Sequence, residues 1–166
     1  MALSIYEVSI PVFIRSFGNL QAILDKALAQ SAADGIDPQT LVDARLAPDM
    51  LPLAGQIQRA SDTAKGAGAR LAGVDNPSFS DTETTFAELK ARIDRTVEFL
   101  KSIPPEAFEG SETKSISMRN GTVQLDGRTY LLGHALPNFF FHVTTAYAIL
   151  RHKGIAVGKL DYLGSL

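Results

Sequence analysis

No cysteine occurs among the 166 residues. That excludes disulfides, thiolate zinc sites and cysteine nucleophiles. No basic block stands out either: sixteen Lys and Arg face eighteen Asp and Glu, for a net charge of -2. The electrostatic footprint of a nucleic-acid or anionic-membrane binder is missing, so no nucleic-acid partner is expected. No uncharged run approaches the length of a membrane span. The first apolar stretch is broken by Glu7 and Arg15 and lacks the pattern of a signal peptide, so a cytoplasmic protein without a membrane partner is expected. Phosphate loop, dinucleotide fingerprint and nucleophile elbow are all lacking.

What remains is ordinary for a globular chain, with 45% hydrophobic and 20% charged residues. The length suits a single domain over residues 1–166. Ser4 and Glu7 have capping-box spacing, and Val8, Phe13, Phe17, Leu20, Leu24 and Leu28 recur at helical steps. A first helix over about 4–31 follows, bent at Pro11. Asp37-Pro38 opens a short helix. A second long helix covers about 48–72, with Ala60, Ala64, Ala67 and Gly68 leaving room for a neighbour, and "VDNPSFSDTETT" is a loop by composition. In a third, about 84–102, Phe86, Leu89, Ile93, Val97 and Leu100 form the apolar stripe, while Glu88 and Arg92 pair at i, i+4 on the other side. Asp62 and Lys65 read as a solvated pair.

The texture then changes. "KSISMRNGTVQLDGRTY" alternates apolar and polar residues about Asn120-Gly121, which predicts a hairpin over about 114–126. A last helix runs from about Thr129 to His152, with His152 near its C-terminus. The expected fold is all-α, a four-helix bundle with a small β-hairpin before the last helix.

The helix order, the hairpin and segments such as "ARLAPDM", "TTFAEL" and "FHVTTAYAILRHKG" resemble the DinB/YfiT-like superfamily of four-helix bundles, and within it an uncharacterised bacterial family. The resemblance covers nearly the whole chain. In that superfamily many members hold zinc or nickel through three histidines, one on the second helix and two at HxxxH spacing on the last, and some are thiol-dependent transferases. Carried onto this chain, the resemblance puts His142 at the second histidine of HxxxH, Asn138 at the first and Gln56 at the position on the second helix. Two of three imidazoles are thus replaced by amides, whose oxygens are weak, hard donors better suited to calcium.

Two readings of these residues stand side by side. In the first, Gln56, Asn138 and His142 are a degenerate metal pocket whose polar groups hydrogen-bond one another or a water, no cofactor is expected, and the bundle binds a small molecule or a protein. In the second, His142 leads an unusual divalent-metal site, zinc or nickel, in a transferase or hydrolase. His134 is the substitute ligand there; two turns, about 12 Å, separate it from His142, so Pro137 would have to bend the helix. Phe139, Phe140 and Phe141 point around the helix, and with Leu160, Tyr162 and Leu163 they predict a homodimer.

Overall fold

The structure, a computed structural model, describes residues 3–118 and 121–165. Ser4 and Glu7 form the reciprocal bonds their spacing implies: Ser4 N–H donates to Glu7 Oε2 at 2.8 Å, and Glu7 N–H to Ser4 Oγ at 3.2 Å. They cap a preliminary turn rather than the long helix. Helix α1 spans Ile10–Asp34 and places Pro11 in its first turn, where a missing N–H forfeits no helical bond. The expected bend at Pro11 is therefore corrected. Helix α2, Pro38–Val42, starts as expected, with Asp37 accepting from the Gln39 amide.

Helix α3 covers Leu53–Ala72, not 48–72, because extended Pro52 is its N-cap; Gly73 ends it with φ +76. Helix α4, Phe86–Ser102, has a full capping box in which Thr85 and Glu88 exchange bonds. Glu88 is thus held at the helix start, chiefly by the Thr84 amide, which draws its carboxyl below the usual range.

A 3-10 turn, Pro105–Phe108, leads to strands β1, Ser115–Met118, and β2, Val123–Asp126. They pair antiparallel, Ser115 opposite Asp126 and Met118 opposite Val123. Asn120 of the expected Asn-Gly turn lies outside the described residues.

The last long helix is composite. Helix α5 (Gly127–Tyr130), a π-helical turn (Leu131–Ala135) and helix α6 (Leu136–His152) run on from one another. Leu136 N–H reaches back to the Leu131 carbonyl, which widens the helix directly before Pro137. Its start is pinned: a Cβ on Gly127 would stand 1.9 Å from the Ser111 carbonyl oxygen, so only glycine fits there. A final short helix α7, Lys159–Leu163, lies on α1, with Asn19 donating to the Tyr162 carbonyl at 3.1 Å.

Helices α1, α3, α4 and α6 form the bundle. Phe139 meets Phe13 and Phe17 edge-on at 4.8 and 5.2 Å between ring centres. The small face of α3 works as its composition implies: a Cβ on Gly68 would meet Leu100 and Ile103 at 3.0 and 3.1 Å. The three phenylalanines of α6 separate around the helix, with Phe139 buried, Phe140 half-buried and Phe141 exposed. Among the described residues no helix is long and apolar enough to cross a membrane.

Candidate functional site

Helices α3 and α6 run antiparallel, and a line of polar side chains lies where an apolar seam would be expected. Gln56, Thr63 and Arg70 recur every seven residues on α3, which keeps them on one face. Each meets a partner from the opposite helix. His142 Nδ1 stands 2.7 Å from Gln56 Oε1. Asn138 Nδ2 donates to Thr63 Oγ1 at 2.7 Å. Arg70 Nη1 donates to the Tyr130 hydroxyl at 3.2 Å.

The third pair depends on the π-turn. Counting back seven residues from Asn138 in a regular helix reaches Leu131, but the widened turn absorbs one residue. Leu131 is consequently packed into the core, fully buried, and Tyr130 takes the place facing Arg70.

Gln56 is buried, and its amide nitrogen donates to the Leu51 carbonyl at 3.0 Å. Its oxygen therefore faces His142, so the neutral imidazole carries its hydrogen on Nδ1 and donates. Burial, and then the charge of Arg59, hold the His142 pKa below its ordinary 6.5. Folding stability follows. An unfolded His142 takes up a proton below about pH 6.5, the folded one only at lower pH. Between these values the unfolded chain binds more protons, so stability falls as pH drops through that window. Urea midpoints at pH 7.5 and 5.5 should accordingly differ more in the wild type than in His142→Gln. Equal pH dependence in both proteins would contradict the half-buried neutral ring.

Beyond Asn138 the seam opens into a cleft of about 320 Å³. Arg59, Thr63 and Arg70 border it from α3, Tyr130, His134 and Asn138 from the opposite side, and Met118 from the hairpin. Exposed His134 stacks on Tyr130 with ring centres 6.0 Å apart, and does not join His142. Burial outweighs the nearby Arg70 charge and raises the Tyr130 pKa, so its phenol stays protonated near neutrality.

A buried ionic cluster backs the cleft. Arg92 is fully buried, not paired with Glu88 on the outer side of α4 as their i, i+4 spacing suggests. Its guanidinium meets Asp62 at 2.9 Å, Asp81 at 3.0 Å and Glu83 at 3.1 Å. Asp62 also binds Lys65 and Arg59, each at 3.2 Å. Lys65 is buried, which corrects the solvated Asp62–Lys65 pair. The loop between α3 and α4 closes the cluster: Phe79 lies beneath Lys65, Arg92 and Arg95, and Asp81 also pairs with Arg59. Arg59 is thereby held beside the cleft by two carboxylates.

Of the four residues singled out from the sequence, Gln56 and His142 are bonded directly, Asn138 binds Thr63 instead, and His134 lies further along the cleft. Arg59, Arg70 and Tyr130 were missed. The seven-residue spacing of Gln56, Thr63 and Arg70 is the signal that leads to Arg70; a π-turn leaves no comparable trace for Tyr130.

The helices, the hairpin and the polar seam define a DinB-like four-helix bundle. A crystal structure of a DinB family member protein from Shewanella denitrificans matches with a TM-score of 0.94 and 41% sequence identity, over 97% of this chain and 92% of that one. The family model described as Domain of unknown function (DUF1993) matches residues 5–163, and the chain belongs to that family. No curated protein matches it.

Proposed function

We propose that this bundle binds a small molecule in the cleft at the open end of the α3–α6 seam, and that its Gln56, Asn138 and His142 do not serve a transition metal. The observation that carries the reading is the division of the seam. At one end polar groups satisfy each other, and at the other they border an open cleft with two guanidinium groups, a phenol and an imidazole. Convergent polar groups around a concavity of this size suit a small ligand.

The donor set does not fit zinc or nickel. A tetrahedral zinc with bonds of ~2.1 Å keeps its donors about 3.4 Å apart. Gln56 Oε1 and His142 Nδ1 stand at 2.7 Å, too close to share an ion through those atoms. Gln56 and Asn138 turn their amide nitrogens, which are no metal donors, to Leu51 and Thr63, and offer only amide oxygens, so His142 is the one good transition-metal donor of the three.

A fragment screen on the full chain, read by two-dimensional amide NMR, tests the proposal. Bound fragments are expected to shift Thr63, Met118, His134 and Asn138. Shifts confined to other surfaces, or no binders at all, would contradict it.

A further inference from the structure

Resting on the reading of the cleft as a small-molecule site, we infer that its ligand carries a carboxylate, held jointly by Arg70 and Tyr130. Around the cleft, Arg59, Arg92 and Arg95 all pair with carboxylates. Among the described residues Arg70 pairs with none; its partner is the neutral Tyr130 hydroxyl, 3.2 Å away. In that bond Arg70 donates and the phenol oxygen accepts, so the phenol hydrogen is still to be placed. Tyr130 is 2% exposed, and among the described residues no acceptor takes that hydrogen. Tyr130 borders the open cleft, so that hydrogen is available to a group lodged there. An acceptor from a ligand would satisfy it.

Gly66 lies beneath the Arg70 guanidinium. It sits inside α3, where glycine costs roughly 1 kcal/mol relative to alanine. A Cβ there would come 2.6 Å from Arg70 Nη1. The glycine lets the guanidinium fold back along the helix toward Tyr130 and the cleft.

The chemistry selects a carboxylate over other anions. A planar guanidinium fork matches the two oxygens of a carboxylate, and the phenol adds one more donor. One unpaired cation balances one negative charge. A phosphate dianion would lack that balance and would also face Asp62, which borders the same cleft. Met118 and the stacked rings of Tyr130 and His134 leave apolar surface for the body of a small organic acid.

Titrating the full chain with sodium benzoate, benzamide and sodium phosphate under amide NMR tests this. Benzoate is expected to shift Thr63, Arg70 and Tyr130 and to bind at least about tenfold tighter than benzamide, the worth of a charge-assisted hydrogen bond. Phosphate is expected to bind more weakly than benzoate. Arg70→Met should remove the preference for benzoate over benzamide. Gly66→Ala should weaken benzoate binding while raising the melting temperature, an opposition of signs that a purely structural glycine would not give. Equal binding of benzoate and benzamide in the cleft, or a preference that survives Arg70→Met, overturns the carboxylate but leaves the cleft as a ligand site. Failure of all three compounds to shift the cleft also overturns the carboxylate, and the fragment screen then judges the cleft separately.

Discussion

Replacing Arg92 by alanine should cost about 3–5 kcal/mol of folding stability, the range for removing one partner of a buried ion pair. The guanidinium is fully buried and holds together three carboxylates drawn from α3 and from the loop before α4. Glu83 suffers most from its loss, because its side chain is only 4% exposed and would keep just the solvent-facing Arg95 and Gln58. Asp62 and Asp81 are partly solvated and can be rehydrated, so their share of the cost is smaller. Urea denaturation of wild type and Arg92→Ala checks the figure. A difference below about 1 kcal/mol would mean that the cluster is no keystone of the loop. Arg92→Ala should also loosen the loop on α4, where Arg95 still holds Glu83, and with it the Asp81 carboxylate that pairs with Arg59 beside the cleft.

The reversal at Arg92 marks where the sequence stops being informative. Ser4 with Glu7, and Asp37 with Pro38, act over three residues or fewer, and their hydrogen bonds form as their spacing implies. Glu88 and Arg92 obey the same geometry, since i, i+4 residues share a helix face. Spacing alone does not say which side of the helix meets a returning loop. Here the loop carrying Phe79, Asp81 and Glu83 covers Arg92, while Glu88 turns to the helix start. Similarly, the alternation about Ile116 and Leu125 marks the hairpin, and those two residues are partners across it. Tyr130 escapes notice for a different reason. Counting at 3.6 residues per turn assumes a regular helix, and the π-turn shifts every position before Leu136 by one. Gln56 and His142 could be placed opposite each other from the resemblance alone; the Thr63 bond of Asn138 needed the side-chain geometry.

The largest change in affinity is expected from rebuilding the imidazole set. Gln56→His combined with Asn138→His should give micromolar or tighter zinc binding centred on His142, several orders of magnitude beyond the wild type. Structural zinc gains roughly 10–16 kcal/mol from a full ligand set, so each imidazole contributes a few kcal/mol. Residues 138 and 142 lie one turn apart on α6, and Gln56 already faces His142 from α3. Competition titration with a chromophoric chelator reads the affinity. If the double variant folds and does not bind, positions 56 and 138 do not correspond to the ligand positions of the superfamily.

The wild-type seam is accounted for by protein hydrogen bonds, from Gln56 to His142 and from Asn138 to Thr63. Elemental analysis of the full chain as purified, counting zinc and nickel per polypeptide, addresses that account directly. It predicts far less than one metal per chain. One zinc or nickel per chain, lost on His142→Gln, would contradict it and make this a metal centre.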